Sequence, residues 1–433
     1  MSISVLYDGI AIGEAFEVSI RRGRSRELDE FEAASGYVRV RNASRVFDPP
    51  FFGTPSYLLL ETGDRLLLET GDRLLLEQGG TASGTYGTMT LGASIEVRDG
   101  AVTVFSGHVE DINYRWTVEG DAVATFVVGD GLSTLARTMF QTDVTFDDGE
   151  LPGVRIAEIL DRSDVAFPSG GTYRALSNGQ ARMIGNSVSA GSNVLQELQL
   201  ISRSDHGRLY TDRTGKLIFK GRYDLPGAPT VDFKDDGTAF PFADVTVSFG
   251  SEFLAFQATV TRQVVRPDEP DFGVITPRPI FGQESPSLLD SAGTPRTATA
   301  GASPPALIGA RGASQADLLL RNDAESEARS RYLVDRFSQV EAVVSELSVH
   351  LHGMSVSDRA IIAALDINNV VTLTWTPRGS GSTVTQTLAV EGVSYDWRVT
   401  TWTVVTLQLS QRPNTNYFTL DTSQLDSGEV LGF

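Results

Sequence analysis

The sequence predicts a mainly β (α+β) chain, with two antiparallel β-rich blocks at its start and end, a mixed α/β middle region and a short β-repeat insertion. Three observations point there. Apolar and polar residues alternate at a period of two in both end blocks, which marks half-buried strands. Gly- and Asp-containing turns recur about every 8–12 residues between those strands, as in antiparallel sandwiches and barrels. Helical periodicity is concentrated between the two blocks.

In the first block, Phe16, Val18 and Ile20 alternate with polar residues, as do Val38 and Val40. Asp48-Pro49-Pro50 stops that strand, because proline has no N–H for the ladder. Three octads then follow within residues 58–81: LLLETGDR, LLLETGDR and LLLEQGGT. Glycine every eighth residue disfavours a helix by about 1 kcal/mol each, so very short strands or stacked coils fit better. Nine leucines within Leu58–Leu76 need a surface to bury against. Strands resume at Ile95 and Val97, Val102 and Val104, His108–Trp116 and Val123–Val128, and Asp130–Ala136 reads as a short closing helix.

The middle holds a short helix at Val154–Leu160 after Pro152, and a better one at Asn193–His206. Val194, Leu195, Leu198 and Ile201 share a face of the second, with Ser192 or Asn193 as cap and Gly207 as the stop. A hairpin follows, Arg208–Thr211 and Lys216–Lys220, turning at Asp212–Gly215. Strand patterning returns over residues 242–265. Residues 267–305 hold eight of the chain's 18 prolines and read as an arm lying on a neighbouring subunit. A helix is expected from Ser314 to Phe337. The last block carries strands at Val343–Leu351, Val370–Thr376, Thr385–Val390, Val393–Trp397 and Thr401–Ser410. The expected division is therefore 1–140 (octad insertion about 51–88), 141–235, 236–265 plus 338–412, a Pro-rich arm at 266–312, a helix at 313–337 and a tail at 413–433.

Composition narrows the function. The chain has 433 residues, 41% of them hydrophobic, enough for several cores. Asp and Glu number 55 against 36 Lys and Arg, for a formal charge of −19, which excludes a generally basic nucleic-acid binder. The absence of cysteine excludes disulfide scaffolds, thiolate metal sites and cysteine nucleophiles. No apolar stretch is long enough to span a lipid membrane, and no secretory signal is expected at the N-terminus.

Chemistry-bearing motifs are weak. Gly185-Asn186-Ser187-Val188-Ser189 falls one glycine short of a nucleophile elbow and reads as a polar loop. His350 and His352 sit two apart on a predicted strand and share a face, without a third ligand nearby. Asp143, Asp147, Asp148 and Glu150 cluster around Gly149; hard oxygen ligands on a turn can bind calcium, but the spacing is not that of an EF-hand loop. A bound ion over Asp143–Glu150 stays open. Trp116, Trp375, Trp397 and Trp402 fit a sugar platform or, more commonly, packing. The sequence thus nominates no catalytic residue, no cofactor-binding residue, no metal ligand set and no cofactor, and no hydrolase activity is expected.

One resemblance runs over most of the chain. Arg21–Asp29, Phe31–Asn42, Phe47-Asp48-Pro49, Gly92–Val97, Val104–Ile112 and Val128–Leu132 follow one another in the first block. Asn193–His206 with the hairpin Leu209–Phe219 continues the order, and Asp366–Leu373, Gly392–Trp397 and Trp402–Leu409 complete it. This order resembles the baseplate or tail-tip hub (minor tail) proteins of long-tailed bacteriophages. The resemblance implies two tail-tube-like antiparallel β-barrels per chain and a homotrimer. It implies as partners the distal tail protein, the tail tube, the tape-measure protein and a central fibre or spike, with genomic DNA only passing through the channel. It implies a place at the virion tail tip after synthesis in the host cytoplasm. The octads and the Pro-rich arm lie outside it. Two other readings stand beside it: a distal tail ring or receptor-binding tail-tip protein, and a carbohydrate-active β protein, which would need a carboxylate pair flanking a cleft.

Overall fold

A computed structural model describes residues 3–43, 47, 90–118, 122–224, 226–249, 254–263, 295–299, 312–338, 342–377, 379, 382–399 and 403–412. The octads, most of the expected arm, Trp402 and the tail 413–433 lie outside the described residues.

The first block forms β1 (Ile3–Tyr7), β2 (Ile10–Ile12), β3 (Ala15–Gly23), β4 (Glu32–Arg41), β5 (Ser94–Asp99), β6 (Val102–Trp116) and β7 (Ala122–Gly129). Inward residues alternate as the sequence dictates. In β1, Ile3, Val5 and Tyr7 are buried, and the β3–β4 register sets Val18 opposite Val38. Helix α1 (Gly131–Arg137) starts where Asp130 accepts the Ser133 N–H.

The middle contains β8 (Val144–Thr145), α2 (Pro152–Asp161), β9 (Arg174–Leu176), β10 (Ser187–Val188), α3 (Val194–Asp205), β11 (Arg208–Thr211) and β12 (Leu217–Lys220). Val194, Leu198 and Ile201 of α3 pack with Ile156 and Ile159 of α2 and with Phe219 in a second core. Asn193 caps α3 through the Gln196 N–H. The stop of α3 differs from expectation. The left-handed residue is His206 (φ 57°), not Gly207. Gly207 is needed for space: a Cβ there would lie 2.5 Å from Phe219 Cε2 and 2.8 Å from the Lys220 carbonyl oxygen. The hairpin forms as expected, and β9 adds to it in parallel, a pairing that three short residues did not signal.

The chain continues through β13 (Val231–Lys234), β14 (Asp244–Ser248), β15 (Gln257–Arg262), β16 (Arg296–Thr299), β17 (Gly312–Leu318), α4 (Asp323–Phe337), β18 (Val343–His350), α5 (Val356–Ala363), β19 (Val370–Trp375), β20 (Val384–Arg398) and β21 (Val404–Gln411). Several boundaries move. The expected helix over 313–337 is a strand followed by a helix that begins at Asp323. Asn322 caps it, Asp317 takes a positive φ that no helix admits, and Gly312–Leu318 pairs in parallel with β15. The buried run Leu318-Leu319-Leu320 reads equally as helix or strand from periodicity alone. Residues 257–262 do not join the last block but centre a three-stranded sheet, β16-β15-β17, whose core includes Leu333 and Val334 of α4. Residues 296–299, expected within the arm, are one of its strands. β13, expected in the middle region, belongs to the last block through parallel pairing with β19.

The two end blocks are one continuous sheet. Thirteen strands share it, along the path β14-β18-β21-β20-β3-β4-β7-β6-β5-β1-β2, with β19 on β20 and β13 on β19. β20 makes the join. Its Val384–Ala389 half pairs with β19, its Gly392–Arg398 half pairs with β3, and β21 runs along its other edge. One apolar core accordingly holds Val38 and Phe126 of the first block with Leu347, Leu373 and Leu407 of the last. The ladders form no closed ring among the described residues; β14 and β2 end the path.

Candidate functional site

The join of β3 to β20 is a tightly constrained place among the described residues. Here two backbones approach at a glycine pair. Gly23 has φ 93°, and a Cβ on it would meet the Glu391 carbonyl oxygen at 2.3 Å and Gly392 Cα at 2.6 Å. A Cβ on Gly392 would meet the Arg24 carbonyl oxygen at 2.7 Å. The pairing of β20 with β21 shifts register at this point, between Val390 and Gly392, and the Arg24 N–H donates to the Glu391 carbonyl at 3.0 Å. The bulge leaves Glu391 pointing into the interior of the join, 1% exposed.

A buried carboxylate needs charged partners, and the surrounding elements supply them. Arg24 donates from Nε (2.8 Å) and Nη2 (2.7 Å) to Glu391, and its guanidinium lies 4.4 Å from the centre of the Phe31 ring. Arg208 of β11 reaches the other Glu391 oxygen at 3.8 Å, and Ser410 of β21 donates to it at 2.7 Å. Burial alone would push the Glu391 carboxyl up; Arg24, Arg208 and Ser410 outweigh it and hold it at about 2.

Further ion pairs tie the same elements. Arg22 pairs with Asp366 at 2.7 Å, and Asp366 also accepts the Arg213 N–H at 2.8 Å. Arg336 of α4 holds Glu27 at 2.8 Å and donates to the Gln411 carbonyl. Asp99 of β5 accepts from Arg359 of α5 (2.7 Å) and from the Tyr395 hydroxyl (2.6 Å). Asp130 accepts from the Thr211 hydroxyl, which ties α1 to the hairpin. Each contact links segments at least 75 residues apart. The arrangement has no nucleophile–base pair. It locks the first block, the hairpin, α4 and the last block into one unit.

His206 sits beside this network. Burial, reinforced by Arg329, Arg24, Arg208 and Arg222, holds its imidazole well below the usual range. The native chain then binds fewer protons than the unfolded chain once the pH falls below about 6.5. The stability tied to a neutral His206 is fully present above that pH and declines below it. Denaturant titrations should give a constant free energy of unfolding between pH 7 and 8 and a fall from about pH 6.5 to 5. His206→Asn, which tolerates the left-handed backbone, should flatten that fall. The same slope in the variant would sink the assignment.

The residues singled out in the sequence lie apart from one another. Asp143 accepts the Ala190 N–H at 2.8 Å, Asp148 pairs with Arg321 at 2.9 Å, and Glu150 pairs with Arg155 at 3.0 Å. Arg155, fully buried, also donates to the carbonyls of Asp147 and Ile184. Among the described residues no group of three or more His, Asp or Glu is placed to hold a metal ion. Ser187 lies in β10 opposite Thr145, and Asn186 accepts from Arg155. His350 ends β18, whereas His352 lies in the following turn, so the two do not share a strand face; the buried Leu351 between them closes the strand. Trp375 is buried, Trp397 packs on the main core, and Trp116 is half exposed and stacked on Tyr114 at 5.7 Å, far from a common platform. The Arg24–Glu391 centre escaped the sequence reading because its members are 367 residues apart. One signal was available: a glutamate within the apolar run Leu388-Ala389-Val390-Glu391-Gly392-Val393, which must be paired or exposed.

No protein-family model matches the chain, and no curated protein matches it by sequence. Solved structures do. A 43 kDa tail protein of prophage MuSo2 from Shewanella oneidensis superposes with a TM-score of 0.54 at 12% identity, covering 95% of this chain and 99% of that one. A tail protein from Neisseria meningitidis MC58 superposes with a TM-score of 0.56 at 12% identity, covering 94% and 95%. The chain therefore has the fold of these tail proteins over nearly its whole length.

Proposed function

We propose that the chain is a structural protein of the tail tip of a long-tailed bacteriophage virion: a baseplate hub that adapts the tail tube and distal tail ring to a central fibre or spike and borders the DNA channel. The observation that carries this reading is the join at β3 and β20. It joins the two β blocks into one sheet, an arc in this reading, whose path among the described residues ends at β14 and β2. An open edge invites pairing with another chain. β14 presents Val247 at 43% exposure, with Phe249 just beyond it at 71%, on the edge strand that ends the path. Three such arcs, as a homotrimer, would make a ring of six blocks. The charge of −19 suits a channel that lets the tape-measure protein and then genomic DNA pass without holding phosphate. The fold shared with two tail proteins supports the same reading. Among the described residues no helix is long and apolar enough to cross a membrane.

The mass of the purified assembly tests it. A trimer is expected; a hexamer would favour a distal ring, and a monomer that binds sugar would favour the carbohydrate reading. Phe249→Asp together with Val247→Asp should leave the chain folded and weaken assembly about five- to thirtyfold, since two exposed apolar side chains at an interface core contribute about 1–2 kcal/mol. Sedimentation of the double variant as an undiminished trimer would remove β14 from the interface. In the same preparation no glycan or peptidoglycan turnover is expected.

A further inference from the structure

We propose that the cavity between the β3–β4 connection, α3 and β17 binds a single carboxylate group through Arg329. The cavity measures about 260 Å³. Arg24, Arg203 and Arg329 line it, with Glu27, Asp29 and Glu30 on the β3–β4 connection. Two of the three cations already have carboxylates: Arg24 has Glu391 and Arg203 has Glu30 at 3.3 Å. Glu27 is taken by Arg336. Arg329 differs. It is 1% exposed, and it donates to the Gln315 amide oxygen (3.1 and 2.9 Å) and to His206 Nδ1 (2.8 Å), both uncharged. Its Nη1 has no acceptor.

The surroundings deepen the imbalance. Arg222 is 6% exposed, and its Nε and Nη1 also lack acceptors. Both guanidiniums lie over the Tyr332 ring, at 5.9 and 6.0 Å. The carboxylate that faces them is Asp205, whose oxygens take the backbone N–H groups of Gln180, Ala181 and Arg222. Two buried cations against one anion leave one positive charge uncompensated, in a place where buried charges are normally paired. A monoanion balances it. A planar carboxylate also matches the guanidinium fork, whereas a phosphate dianion would overshoot the charge and face Glu27, Asp29 and Glu30. Arg329, Gln315 and His206 line the cavity together, and an entering carboxylate would replace or join these two neutral acceptors.

Thermal unfolding of the full chain at constant ionic strength tests this, with acetate, the blocked peptide acetyl-Gly-Glu-Gly-amide, or phosphate exchanged for chloride. Acetate or the peptide should raise the midpoint saturably, by about 2–5 °C. Tighter binding of the peptide would identify a protein side chain as the natural source, and binding of acetate alone would identify a free acid. Arg329→Met should be no less stable than the parent in chloride and should lose the response. Should that variant fail to fold, the guanidinium nitrogen signals of the unaltered protein still report, since Arg329 must shift on acetate addition. A midpoint indifferent to carboxylate, a response retained in Arg329→Met, or a response to phosphate alone would overturn the proposal.

Discussion

Gly23→Ala should destabilise the chain by about 2–5 kcal/mol, because backbone strain and a close backbone contact fall on the same methyl group. Two terms add. A left-handed backbone costs an L-residue about 1–2 kcal/mol. The new Cβ would also sit 2.3 Å from a carbonyl oxygen and 2.6 Å from a Cα of β20, both backbone atoms that no rotamer change can move. Overpacking of that kind costs about 1–3 kcal/mol when the structure can shift. The shift would pull β3 from β20 and strain the Arg24–Glu391 pair with it. Gly13→Ala is the control, because nothing lies within 4 Å of a Cβ there. Denaturant unfolding of both variants should separate them by several kcal/mol. A difference under about 1 kcal/mol would mean that the close crossing relaxes freely.

Glu391→Gln should cost about 3–5 kcal/mol at pH 7, because it leaves the Arg24 and Arg208 guanidiniums in the interior without a counter-charge. The pH dependence gives a second reading of the same group. The native carboxyl titrates at about 2, below its ordinary 4.5, so its stabilisation is fully present above pH 4.5 and is lost as the pH falls toward 2. The variant should lack this part of the acid slope while keeping the fall between pH 6.5 and 5 that belongs to His206. Replacing both partners, Arg24→Met with Glu391→Leu, should recover much of the loss, since a buried pair gains little over apolar packing. If Glu391→Gln alone proved neutral, water must reach the join.

The order of folding steps in evolution or in solution is not needed to see why the two variants belong together. Both act at the one place where a 23-residue N-terminal segment and a strand near residue 392 share a ladder. Each variant should therefore also weaken self-assembly in proportion to its loss of stability, which sedimentation would show.

The sequence by itself determined the local elements. Period-two alternation placed most strands of both end blocks, though not β1, β2 or β13; the helix beginning at Asp130 and the Asp212–Gly215 hairpin formed as read, and of Ser192 and Asn193 it is Asn193 that caps α3. These signals are local: a cap, a turn or an alternating face is fixed by residues within a few positions. The resemblance carried by their order led to the tail-protein fold. What only the tertiary structure decided is which strands share a sheet. Gly312–Leu318 became a strand because β15 offered a parallel edge, and β13 left the middle region because β19 offered another. His206 took the left-handed turn, and Gly207 is held to glycine by the space that Phe219 fills. The junction was hidden for the same reason. Arg24 and Glu391 are ordinary charged residues until β3 and β20 meet, and the energy that makes them matter, the loss of water around two charges, exists only once the strands are paired.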